Sequence, residues 1–82
     1  MELKIKGVSL IKCTLKPDER EVTVPRGIRI IEWAAFSSCV NLRRIILPEG
    51  LFEIRRGAFQ GCSRLISVNL PDRLRVIGEG AF

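Results

Sequence analysis

The dipeptide Ala-Phe occurs at residues 35–36, 58–59 and 81–82, so successive copies lie 23 residues apart. A fixed period in the twenties marks a chain that stacks one coil on the next, and it constrains the fold before any local propensity is weighed. Each coil buries its apolar side only against its neighbours. Such a stack presents surfaces rather than enclosing a deep pocket, so the period points to binding as the class of activity.

Laid over one another at this period, the repeats agree well beyond Ala-Phe. Val22, Ile45 and Val68 align, as do Val24, Leu47 and Leu70, each followed by proline at 25, 48 and 71. Ile28, Leu51 and Leu74 follow, then Ile31, Ile54 and Ile77, then Cys39 and Cys62 after the Ala-Phe pairs, then Leu42 and Leu65. Within Leu42-Arg43-Arg44-Ile45-Ile46-Leu47, the period-two alternation places Ile45 and Leu47 inward and Arg44 and Ile46 outward. The proline ends strand pairing because it has no N–H to give, and Gly27 and Gly50 suit the turn that follows. The second half of each coil reads as a short extended piece and one tight helical turn. Its phenylalanines should stack in a column with the roughly 5 Å step of neighbouring strands.

Residues 1–20 do not obey the repeat. Leu3 and Ile5, then Val8, Leu10 and Ile11, read as two short strands, a hairpin-like cap on the first coil. Residues 21–82 hold about two and a half repeats, and 1–82 reads as a single domain. The array reaches Phe82 without a polar cap, which leaves an adhesive coil edge. Dimerisation through that end, or a longer array, would account for it.

The unit Ile45-x-Leu47-Pro48, Ile54, Ala58-Phe59-x-x-Cys62, Leu65-x-x-Val68-x-Leu70-Pro71 resembles the BspA-like class of leucine-rich repeats over residues 22–82. The resemblance implies a leucine-rich repeat solenoid. It would be right-handed, with 23-residue coils, short parallel β-strands on one face and little helix. Larger members are often surface proteins of bacteria or protists that bind host or matrix proteins, so it also implies a surface or secreted, adhesin-like setting. Ile-Gly, common in that class, stands only at Ile77-Gly78; Ile31-Glu32 and Ile54-Arg55 replace it. Residues 1–7 alternate charged and apolar side chains, which is not a signal-peptide pattern. A cytoplasmic chain or a piece of something longer would both fit. No stretch approaches the ~20 apolar residues of a membrane span.

The net charge is +5, from 14 Lys and Arg against 9 Asp and Glu. No basic run exceeds two residues, so a solvated surface is the simpler reading and nucleic acid is disfavoured. The period also brings opposite charges together: Glu21 with Arg44, Arg26 with Glu49, Glu32 with Arg55, and Arg56 with the ring of Trp33. Arg43, Arg64, Arg73 and Arg75 have no assigned partner. Cys39 and Cys62 share a repeat position and should point inward one coil apart. Adjacent parallel positions seldom meet disulfide geometry, and without histidine a zinc site is disfavoured. They are expected to be buried thiols; Cys13, in the cap, has no evident mate. The lack of His and Tyr, of paired carboxylates and of a phosphate loop argues against an enzyme, and no cofactor is expected.

The outward strand positions are the candidate ligand-binding face: Glu21, Thr23, Arg44, Ile46, Ser67 and Asn69. The expected function is a non-catalytic protein–protein interaction module with Arg44 as its anchor. The rival reading is a structural unit that self-associates, as a homodimer for instance, through the bare C-terminal coil.

Overall fold

The computed structural model describes all 82 residues, as eight strands and no helix. β1 (Glu2–Lys6) and β2 (Ser9–Thr14) form an antiparallel hairpin that turns at Gly7 and Val8. After it the chain alternates between two sheets. β3 (Glu21–Thr23), β5 (Arg44–Ile46) and β7 (Ser67–Val68) make a three-stranded parallel sheet. β4 (Ile30–Ile31), β6 (Glu53–Ile54) and β8 (Val76–Ile77) line up in parallel behind β2, completing a five-stranded sheet in the order β1-β2-β4-β6-β8. The resemblance implied strands on one face. The chain has them on two, because the short extended pieces ending at Ile31, Ile54 and Ile77 also pair.

The register follows the sequence period. Arg44 lies beside Ser67 and Ile30 beside Glu53, each pair 23 residues apart. Val22 and Ile45 are buried from one sheet and Ile31 and Ile54 from the other, joining Phe36, Phe59, Leu42 and Leu51 in one core. Each proline that ends a strand also begins the turn into the second sheet. Leu51 donates its N–H to the Pro48 carbonyl, and Leu74 to that of Pro71, both at 3.1 Å.

The expected helical turn is instead a run of four-residue turns. Ala35 donates to Glu32, Ser37 to Ala34, Cys39 to Phe36 and Leu42 to Cys39. A left-handed residue at the same place in every coil explains why no right-handed helix propagates there: Ala34, Gly57 and Gly80, with φ of 58°, 63° and 64°. Past that bend the phenylalanines stack as expected. Ring centroids are 4.8 Å apart for Phe36–Phe59 and 4.9 Å for Phe59–Phe82, which matches the strand spacing.

The leader is built more like a coil than the sequence suggests. Phe36 donates its N–H to the Ala58 carbonyl and Phe59 to that of Ala81; Cys13 donates to that of Ala35 in the same way. Cys13 therefore sits below Phe36, at the foot of the phenylalanine column. Leu10 pairs with Ile31, and only two residues separate it from Cys13 where four separate Ile31 from Phe36. That shortening hid the relationship from a strict 23-residue alignment.

Cys13 is also not without a neighbour. The Cys39 thiol donates to the Cys13 carbonyl at 3.5 Å, and Cys62 to the Phe36 carbonyl at 3.1 Å, each reaching back 26 residues. All three thiols are free; Cys13 and Cys39 are buried and Cys62 is half-buried. The hydrogen-bonded neighbour Cys39 and burial push the Cys13 thiol far above the usual range. Burial, and then the charge of Cys39, push Cys62 up to about 11.

Candidate functional site

The three-stranded sheet turns its alternate side chains outward because the inward ones are Val22, Ile45 and Val68. Its ladder sets the outward residues in two rows. Glu21, Arg44 and Ser67 form one; Thr23 and Ile46 form the other, with Asn69 just beyond the end of β7. Neighbours in a row are one strand apart, about 4.8 Å. Arg44 and Ile46 occupy the middle strand, and both are exposed.

The electrostatics of this face are mild. Arg44 Nη1 lies 3.6 Å from Glu21 Oε2, with more than half of each side chain in solvent. Such a pair is worth about 0–1 kcal/mol, so the guanidinium stays available to a partner. Asn69 is different. Its Oδ1 accepts the Leu47 N–H at 2.7 Å and its Nδ2 donates to the Leu47 carbonyl at 3.0 Å. In the preceding coil the Ile46 carbonyl accepts the Val24 N–H at 2.9 Å. The Asn69 side chain thus replaces a backbone group and closes the ladder after two paired residues instead of three.

Toward the prolines the face ends in two shallow hollows between coils. One, of about 390 Å³, runs from Thr23 and Ile46 down to Arg26 and Glu49. The other, of about 360 Å³, is bordered by Glu49, Asn69, Asp72 and Arg73. The expected Arg26–Glu49 ion pair does not form; both residues border the first hollow and reach into water. Of the arginines without an assigned partner, Arg64 donates to Asn41 Oδ1 at 3.0 Å and Arg75 to the Asp72 carbonyl at 2.9 Å.

The outer face of the five-stranded sheet carries more charge. Arg55 bridges Glu32 at 2.9 Å and Glu53 at 3.2 Å, and these two carboxylates hold its guanidinium more firmly protonated than usual. Trp33 and Arg56 line one hollow there without the expected cation–π contact; the ring contacts of the chain are the two phenylalanine stacks. Ile66, which is not among the expected outward positions, is 83% exposed. Its signal was available, since Ile66 stands where the two earlier coils have Arg20 and Arg43. No group of three or more Cys, Asp or Glu side chains converges on a metal-sized site, and no helix of the chain is long and apolar enough to cross a membrane.

This arrangement can offer two flat, mixed polar and apolar surfaces on a stack of short parallel strands. A family model described as the BspA type leucine-rich repeat region (6 copies) matches residues 11–82. Its match begins inside β2, consistent with the coil-like pairing of the leader. No curated protein and no solved structure matches the chain. With the repeat unit, the parallel strand ladders and a family match over most of its length, the chain belongs to the BspA-type leucine-rich repeat family.

Proposed function

We propose that the chain is a non-catalytic protein-binding module whose partner docks on the outward face of β3, β5 and β7. The family supports a protein-interaction repeat as the general role. The observation that carries the finer reading is the pairing of Arg44 and Ile46 on the central strand. An exposed guanidinium and an exposed aliphatic side chain, both on rigid backbone, combine two kinds of contact found at interface centres. Glu21, Thr23 and Ser67 flank them, and Asn69 supports the rim through its bond to Leu47. Arg44→Glu should weaken partner binding by roughly tenfold or more, and an unchanged affinity would reject this face. Nucleic acid is the weaker candidate, since Glu21 shares the row with Arg44.

The whole of 1–82 is read as one domain, with residues 1–20 as its cap. Winding is taken as right-handed, the hand of about 98% of parallel crossovers. The family's surface-protein character extends the reading to an adhesin-like role, which fractionation of source cells tests.

A second reading rests on the last coil. Phe82, Leu70 and Ile77 are about half exposed, and an open hollow of about 310 Å³ lies between Phe59, Leu65, Ile66, Val68 and Phe82. Self-association through this edge would cover them. Sedimentation of the 82-residue chain at low micromolar concentration tests it, and a folded monomer there rejects it.

A further inference from the structure

The repeat is broken at one exposed point. Two and three residues beyond the inward isoleucines, the second and third coils have Arg56-Gly57 and Glu79-Gly80, whereas the first has Trp33-Ala34. Both replacements are costly. Ala34 keeps the left-handed conformation of the glycines it replaces, with φ of 58°, a region disfavoured for a residue with a Cβ. Trp33, the single tryptophan, is 70% exposed. Strain held beside a large exposed aromatic ring has no counterpart in the fold's own packing, and such outliers gather at binding sites.

The surroundings of the ring indicate its ligand. Trp33 stands between two hollows on the outer face of the five-stranded sheet. One, of about 500 Å³, is bordered by Lys4, Lys12 and Glu32; the other, of about 560 Å³, by Glu53, Arg55 and Arg56. Arg55 engages both carboxylates. Lys4, Lys12 and Arg56 have no carboxylate within ion-pair distance. The indole is therefore bracketed by cations without a carboxylate partner, Lys12 on β2 and Arg56 two residues past β6, in the coils to either side of it.

We infer that this face is a second docking site, which takes an extended acidic segment of a protein. An apolar side chain of that segment lies on the Trp33 ring, and carboxylates two residues to either side meet Lys4 and Lys12 at one end and Arg56 at the other. In an extended chain, residues two apart point the same way at about 6.6–6.8 Å, and the long Lys and Arg side chains cover the difference from the strand step of about 4.8 Å. A nucleic acid fits less well, because no second aromatic side chain borders the hollows to stack a further base.

The site has a built-in reporter, since the chain has one Trp and no Tyr. The probe is the peptide Ser-Glu-Gly-Leu-Gly-Glu-Ser, blocked at both ends, titrated into the 82-residue chain while Trp33 fluorescence is followed. The expected result is a saturable spectral shift with submillimolar Kd. Replacing both Glu of the peptide by Gln should weaken binding about tenfold, and Lys12→Glu and Arg56→Glu should each weaken it about fivefold. Arg44→Glu, on the other sheet, should leave it unchanged, which separates this site from the face around Ile46. Trp33→Ala, checked for folding by circular dichroism and followed by calorimetry, should abolish binding. The inference is overturned by no saturable change up to millimolar peptide, by equal affinity for the Gln peptide, or by oligo(dT) binding more tightly than the Glu peptide.

Discussion

Asn69 turns its side-chain amide back on Leu47, taking the N–H at 2.7 Å and giving a hydrogen bond to the carbonyl at 3.0 Å. Leu47 is a core residue, 3% exposed, so its backbone has little access to water. Asn69→Ala leaves that N–H without its partner and should cost about 1–3 kcal/mol. For a domain of this size that lowers Tm by roughly 4–8 °C per kcal/mol. Asn69→Asp keeps the acceptor but loses the donor, and should also destabilise. Thermal melts followed by circular dichroism check both.

Phe59 is the middle ring of the column, covered on both faces by Phe36 and Phe82. Phe59→Ala should cost about 3–5 kcal/mol, the usual range for emptying a core aromatic site. Phe82 is 54% exposed and stacks on one side only. Phe82→Ala should therefore cost less than half as much. Urea unfolding of the two variants gives the comparison, and equal losses would contradict the stacked arrangement.

Ala34 occupies the left-handed position that Gly57 and Gly80 fill in the other coils. Ala34→Gly should relieve about 1–2 kcal/mol of steric strain while adding about 0.5–1 kcal/mol of unfolded-state entropy. A net stabilisation of roughly 0.5–1 kcal/mol follows. Gly57→Ala should be destabilising, since it introduces the same strain where Gln60 Oε1 would also lie 3.0 Å from the new Cβ. Paired urea titrations measure the two opposite signs.

The Cys62 thiol, pushed up to about 11 by burial, titrates above its unfolded value of 9.0. An acid raised in the folded state disfavours its charged form there. Its contribution to stability is complete below pH 9 and is lost as pH rises through about 11. Stability should therefore fall over this window, and Cys62→Ala should flatten part of the fall. At pH 8 the native Cys62 should react with iodoacetamide roughly 10–100-fold more slowly than in urea. Alkylation followed by mass spectrometry reads this directly.

Much of the fold was legible in the sequence because a stack repeats its physics. Val22, Ile45 and Val68 could be assigned inward, and Phe36, Phe59 and Phe82 to one column, from alternation and period alone. Two features were not legible. The short extended pieces were read, but not their pairing into a second sheet, because strands of two residues are too short for alternation to show. The place of Cys13 beneath Phe36 was hidden by a coil two residues shorter between Leu10 and Cys13. At the candidate face, alternation identified which side chains point outward. It could not foresee that the Asn69 amide is committed to Leu47, because a side chain replacing a backbone group in the ladder leaves no spacing signal. Charge pairs were half legible for a related reason. Glu21–Arg44 and Glu32–Arg55 meet on paired or adjoining strand positions, whereas Arg26 and Glu49 lie beyond the strands, where the period no longer fixes side-chain direction.

The central claim is that a protein partner docks around Arg44 and Ile46, and site-specific photo-crosslinking tests it most directly. A photoreactive residue is placed at Ile46 and, in a separate protein, at Gln60, an exposed position outside both sheets. Both are irradiated in extract from the source cells, with and without Arg44→Glu. The account predicts a discrete protein adduct from position 46 that is lost with Arg44→Glu and absent from position 60. Adducts that are the same from both positions, or that are indifferent to Arg44, would contradict it.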